Sequence, residues 1–395
     1  MINKRASAPK RKLIAATASL PVYLDCNATT PVDPEIQEEF IRYIQDEFGN
    51  AGSRTHEYGA RAKQAVQRAR DHVATVVKAQ REHIIFTSGA TESNNLAILG
   101  LREYGESTGK RHIVSTAIEH KAVLEPLEYL NKHGFEITLI KPQKSGVVSA
   151  VEIAAAVRSD TLLVSVMQVN NETGIVQPVL DIATALSNHD AYFHVDAAQG
   201  FGKQILDLQN PRIDLISISG HKIYAPKGIG ALVARHRGFE RIPLAPLFHG
   251  GGQERGLRPG TLPVALIVAL GKAAELSVRD SERRLEYCQK LKEQAQAAFQ
   301  SVDGIPTGDQ SKAVPSTLNI AIPGLDSEAV IVALKDLIAI SNGSACTSHN
   351  YTASHVLQAM GLTTEHIKGA LRLSWCHLTP EPSWTQIVER IRALQ

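Results

Sequence analysis

The sequence predicts an α/β fold, with a large domain built on a mostly parallel sheet covered by helices and a smaller α+β domain after it. Short apolar runs recur at Ile84-Ile85-Phe86, His112-Ile113-Val114, Ile137 to Ile140, Leu162 to Met167, Ala191 to Val195, Ile213 to Ile218 and Ala231-Leu232-Val233. Helix-length segments separate most of them, the pattern of βαβ units. Two runs end in chemistry-bearing residues, Asp196 and the turn Ser219-Gly220-His221-Lys222, and in parallel sheets ligands bind at the carboxyl ends of strands.

In chain order, residues 34 to 48 read as a helix, and Ala62, Ala65, Val66, Ala69, Val73, Val76 and Val77 follow helical spacing in a second. The alternating section then runs to Val233. Pro243 to Pro263 holds the glycine-rich run Gly250 to Thr261, too long for an idle connector and read as a functional loop. A charged helical stretch from Val264 to Phe299 leads out of the sheet. A strand at Leu318 to Ile322, a helix at Ser327 to Leu337, a loop around Cys346, and helices at His355 to Met360 and Trp384 to Leu394 complete the smaller domain. The boundaries expected are a basic tail over 1–21, a cofactor-binding domain over 22–263, and a linking helix with the small domain over 264–395.

With 395 residues and a net charge of +2, the chain can bury a large core and gives no general case for nucleic-acid binding. No apolar run spans a bilayer. Basic residues Lys4, Arg5, Lys10, Arg11 and Lys12 precede the first acid, Asp25; the tail reads as a disordered arm or as an organellar transit peptide. Four cysteines without paired spacing predict neither a disulfide framework nor a metal site, and point to a reducing, cytoplasmic setting.

Asp196 and Lys222 are the pair that pyridoxal phosphate needs: a lysine to condense with its aldehyde, and a carboxylate to face its pyridine nitrogen. An N-cap is the alternative role for Asp196, and a solvated surface position for Lys222. Thr87-Ser88-Gly89-Ala90-Thr91-Glu92-Ser93-Asn94-Asn95 follows a strand and opens a helix, the setting of an anion cradle; plain helix capping is the alternative. Cys346 sits among Gly343, Ser344, Ala345, Thr347 and Ser348, neighbours that suit an exposed reactive thiol rather than an inert core cysteine.

Over nearly the whole chain from Val22, the sequence resembles the cysteine desulfurases of the class V aminotransferase group, fold-type I pyridoxal phosphate enzymes. The resemblance rests on Tyr23-Leu24-Asp25 with Ala28 to Pro31, Ser88 to Ser93, Glu119 to Val123, Val169-Asn170-Asn171-Glu172, His194-Val195-Asp196, Ser219 to Lys222, Gly250 to Thr261 and Gly343 to Ser348. It implies that Lys222 holds the cofactor, Asp196 pairs with its pyridine nitrogen, and His120 stacks on the ring and takes part in proton transfer. Gln199 and Asn171 would touch the ring, with Asn171 also near the substrate. Ala90, Thr91, Ser219 and His221 would cup the phosphate, joined by Thr261 from the other subunit of a homodimer, and Arg372 would grip the substrate carboxylate. The implied reaction removes sulfur from L-cysteine, giving L-alanine and a persulfide on Cys346 for an acceptor protein in iron–sulfur assembly, tRNA thiolation, cofactor synthesis or DNA sulfur modification.

One departure stands out. The family usually has Arg-x-Ser-x-Gly where this chain reads Arg372-Leu373-Ser374-Trp375-Cys376. The expectation is a reshaped pocket beside Arg372, with Cys376 either packing inertly or serving as a second thiol. A selenocysteine lyase, an aminotransferase on the same fold and a catalytically slow scaffold for a sulfur acceptor are the rival functions.

Overall fold

The computed structural model describes residues 20–342 and 353–395. The tail through residue 19 and Cys346 with its immediate loop lie outside the described residues.

Each of the seven apolar runs is a strand of one sheet: β1 (Ile84–Thr87), β2 (His112–Thr116), β3 (Glu136–Ile140), β4 (Thr161–Met167), β5 (Tyr192–Asp196), β6 (Leu215–Ser219) and β7 (Gly230–Ala234). Their spatial order is β1-β7-β6-β5-β4-β2-β3. β7 runs antiparallel to both of its neighbours and the remaining pairings are parallel. Burial on both faces explains why most of these strands read as continuous apolar runs rather than alternating ones. His194 pins the centre, its ring nitrogens bonded to Ser165 Oγ at 2.8 Å and Ser217 Oγ at 2.9 Å on the flanking strands. With no water to replace them, these bonds hold the register that presents Asp196 at the end of β5.

Helices α1 (Pro34–Gln45) and α2 (Glu57–Val76) cover one side, and α3 (Ala90–Leu99) and α4 (Lys121–Lys132) follow β1 and β2. Asp33 caps α1, accepting from Glu35 N–H at 3.1 Å, and Pro34 begins it. The charged stretch after residue 263 is two helices, α5 (Val264–Arg279) and α6 (Ser281–Gln300), divided at Asp280. Asp280 accepts from Arg279 at 2.9 Å and lies 3.6 Å from Arg284, so the break is held by ion pairs. The apolar face of α5 packs on α1 and α2, whereas Leu291, Ala295 and Phe299 of α6 belong to a second core.

That second core sits on an antiparallel sheet containing β8 (Thr317–Ala321) and β9 (Ala370–Ser374), with the C-terminal helix α7 (Trp384–Arg392) over it. The sequence reading placed no strand at β9, although Arg372 lies at its middle. Alternation along β9 sends Leu371, Leu373 and Trp375 into this core. Trp375 is 1 % exposed, and its indole N–H donates to the carbonyls of Cys288 and Pro315, both at 3.0 Å. The expected reshaping of the pocket by Trp375 is therefore corrected: the indole faces away from the pocket, on the opposite side of β9 from Arg372. Cys376 is buried too, its sulfur 3.6 Å from Thr379 Oγ1.

Candidate active site

The parallel register brings the carboxyl ends of β1, β5 and β6 to one edge. Asp196 ends β5 and pairs with Ser217, two residues before the end of β6, where a single 3-10 turn, Gly220–Lys222, swings the lysine across. The loop from β1 into α3 closes the other side. Gly230 permits that closure: a Cβ there would lie 2.6 Å from Gly89 Cα and 2.3 Å from the Ile218 carbonyl oxygen. These ends surround a cavity of about 750 Å³ whose wall includes Ala90, Thr91, His120, Asn171, Asp196, Gln199, Ser219, His221, Lys222 and Arg372.

Lys222 Nζ donates to the carbonyls of Asn27 and of Ala28, the latter at 2.8 Å. Burial, then the positive charges of Lys203 and Arg372, lower its pKa to about 7. Desolvation penalises the ammonium form, so this amine is a competent nucleophile near neutrality. The Asp196 carboxylate accepts from Asn94 Nδ2 on Oδ2 at 2.8 Å and from Ala198 N–H on Oδ1 at 2.9 Å. No salt bridge engages it among the described residues, so a buried anion at the cavity wall meets only neutral donors.

His120 caps α4, its Nδ1 accepting from Ala122 N–H at 3.1 Å, and it also lines the cavity. One ring thus both caps the helix and faces the cavity. Because Nδ1 accepts a backbone proton, the neutral ring carries its own proton on Nε2. Burial lowers the pKa of His120, and that of His221 to about 4. His221 Nδ1 meets Thr29 Oγ1 at 3.2 Å. The Thr91 and Ser219 hydroxyls and His221 Nε2 have no side-chain partner among the described residues, which leaves polar groups on the cavity wall from the start of α3, the end of β6 and the turn after it.

Arg372 is 4 % exposed. Its Nη2 donates to Asp25 Oδ1 at 2.7 Å and its Nη1 to the Asn171 carbonyl at 3.1 Å, while Nε is buried without a partner. Sequence reasoning missed Asp25 and Asn27 as site residues. The Asn27 carbonyl accepts from Gln199 Nε2 at 2.9 Å as well as from Lys222, and its amide donates to the Asn171 carbonyl at 3.1 Å. Both residues stand within or beside the Tyr23–Pro31 motif, but nothing local shows that this segment threads between β6 and β9.

Thr261 is exposed and does not line the cavity within this chain. Its loop is nevertheless fixed. Glu254 forms a buried ion pair with Arg70 and accepts from Phe86 N–H at 2.7 Å, while Arg258 Nε donates to Glu92 Oε1 at 3.0 Å beside the start of α3. Cys376, beside Cys26, does not line the cavity either.

The family model for aminotransferase class V matches residues 22–381. A cysteine desulfurase IscS of Vibrio cholerae is 42% identical over 376 residues, 94% of this chain and 92% of that one. The solved structure of DndA from Streptomyces lividans is 50% identical, covers 92% of this chain and 99% of its own, and superposes with a TM-score of 0.79. A structure described as SspA in complex with cysteine is 36% identical, covers 91% of this chain and 99% of its own, and has a TM-score of 0.77. No helix among the described residues is long and apolar enough to cross a membrane.

Proposed function

The chain belongs to the class V aminotransferase family, and from that premise we propose that it is a cysteine desulfurase, dependent on pyridoxal 5'-phosphate, that converts L-cysteine to L-alanine and a persulfide on Cys346. The observation that carries this reading is the meeting of Lys222, Asp196 and Arg372 around one cavity, from two adjacent parallel strands and a third outside that sheet. The residues present fit the cofactor. The hydroxyls of Thr91 and Ser219 and Nε2 of His221 on the cavity wall suit a phosphate, the buried and unpartnered Gln199 Oε1 suits a ring hydroxyl, and Asp196 offers a carboxylate without a cation.

When bound, the cofactor supplies a sink for the electron pair left at the substrate α-carbon. Lys222, whose pKa burial lowers to about 7, would attach the cofactor. His120, with its proton on Nε2, would meet the cofactor ring, and Asn171, on the same cavity wall, would contact cofactor and substrate. Arg372, oriented by Asp25 and the Asn171 carbonyl, would bring its guanidinium to the substrate carboxylate from the cavity wall. The thiolate of Cys346 attacks the substrate sulfur: the new S–S bond forms as the carbon–sulfur bond breaks, and the carbon fragment leaves as alanine after protonation. A homodimer, with Thr261 reaching the partner's phosphate site, and an acceptor protein that takes the persulfide sulfur complete the proposal.

The experiment is to incubate the purified protein with L-cysteine, quantify alanine, and analyse the Cys346 peptide by mass spectrometry. Alanine release with one added sulfur on Cys346, and loss of both with retained yellow colour in Cys346→Ser, is the expected result. Sulfur on Cys376 instead, or undiminished alanine release by Cys346→Ser, overturns the assignment of the nucleophile. Alanine from selenocysteine alone would make the protein a lyase of that substrate.

A further inference from the structure

Asn94 has no assigned role, yet it is completely buried, lines the cavity and carries a donor aimed at the one carboxylate that the cofactor requires. It stands one helical turn beyond Ala90, so that residues at i and i+4 on the same face of α3 serve two ends of one ligand. The first turn presents the anion cradle, and the second reaches across to β5. We propose that Asn94 is a positioning residue that fixes the plane of the Asp196 carboxylate, so that the phosphate cradle and the pyridine-facing oxygen are set at one spacing by one rigid helix.

The geometry supports this in three ways. Asn94 Nδ2 donates to Oδ2 at 2.8 Å while Ala198 N–H donates to Oδ1 at 2.9 Å, one donor per oxygen, so the carboxylate cannot rotate without losing both. Asn94 Oδ1 is buried with no partner. A residue chosen for packing alone would not leave a buried acceptor unsatisfied, whereas one chosen to donate accepts that penalty. Finally, the absence of a cation on Asp196 among the described residues makes these two neutral donors the main determinants of its orientation. Leucine at position 94 has the same branched heavy-atom skeleton with greater bulk and deletes the donor; alanine deletes it without adding bulk.

The inference rests on the pairing of Asp196 with the pyridine nitrogen, and the test separates the two. The full-length protein is stripped of cofactor and titrated with pyridoxal 5'-phosphate and with its 1-deaza analogue, in which C–H replaces the ring nitrogen. Wild type is expected to prefer the natural cofactor. In Asn94→Leu and in the smaller Asn94→Ala, that preference should fall by about ten- to a hundredfold, the worth of one hydrogen bond to a charged group. Affinity for the analogue should stay within about twofold, because the cradle and Lys222 are untouched. On the reloaded enzyme kcat should fall by a similar factor with KM for cysteine little changed. In an Asp196→Asn background, Asn94→Ala should have no further effect on the preference. A wild type that does not distinguish the two ligands overturns the pairing of Asp196, and this inference with it. A wild-type preference that persists in both Asn94 variants overturns the role of Asn94 alone.

Discussion

At Lys222, if this amine holds the cofactor as proposed, the pKa of about 7 has a direct kinetic consequence, since only the unprotonated amine can attack the aldehyde. Capture of pyridoxal 5'-phosphate by the cofactor-free protein should slow about tenfold per pH unit below pH 7 and level off above it; stopped-flow absorbance measures this, and Lys222→Ala should abolish the visible band. A profile rising only above pH 9 would show that the surroundings do not lower this pKa. Asp196→Asn removes the charge while keeping the shape. It should retain cofactor through the cradle and lose turnover by about a hundredfold or more, the scale of a lost charge-assisted bond in a buried site. Steady-state alanine release checks this, and near-wild-type rates would mean that another group faces the pyridine nitrogen.

Among the elements, the cradle loop depends on how closely β7 allows it to approach. Gly230→Ala places a methyl group 2.6 Å from Gly89 Cα and 2.3 Å from the Ile218 carbonyl oxygen, both backbone atoms that cannot swing aside. The variant should lose about 1–3 kcal/mol of stability and bind cofactor more weakly, read by urea denaturation and equilibrium titration. β9 shows a related limit of sequence reading. Its alternation of Leu371 and Leu373 with Arg372 is a strand pattern, but only pairing with β8 and burial against Asp25 turn a basic residue into a buried binding group. Cys376 stands just past that strand, and its proximity, followed by burial, pushes the Cys26 thiol up. It is packed against Thr379 rather than placed at the cavity.

In the whole molecule, the glycine-rich loop that carries Thr261 is anchored to α2, β1 and the start of α3. Glu254 and Arg255 adopt left-handed φ values of 47° and 60°, which non-glycine residues hold only when their surroundings enforce them. The enforcing contact is the Arg70–Glu254 pair, with side chains 7% and 1% exposed. Glu254→Ala leaves Arg70 buried without its partner and should cost about 3–5 kcal/mol, measured by chemical denaturation. If the loop completes the neighbouring subunit's phosphate site, the same variant should also weaken the homodimer in sedimentation equilibrium and lower cofactor affinity. A loss of stability with unchanged association and affinity would confine the pair to a structural role.

The sequence by itself determined the seven strands, the sheet's mostly parallel character and the placement of Asp196, Lys222 and the 87–95 segment at strand ends, because each depends on local pattern: apolar runs of strand length, polar turns at their ends, and small residues before a helix. It did not determine that α5 and α6 part at Asp280, that Trp375 faces the small core, or that Asn27, Asp25 and Asn94 join the site. Those facts depend on which segments meet. Asn27 comes to Lys222 across 195 positions of chain, and Asn94 to Asp196 across 102. An asparagine far from its partner in sequence carries no local periodicity to announce the contact. Only the packed tertiary structure, in which a buried carboxylate must find its donors, decided which asparagine would be there.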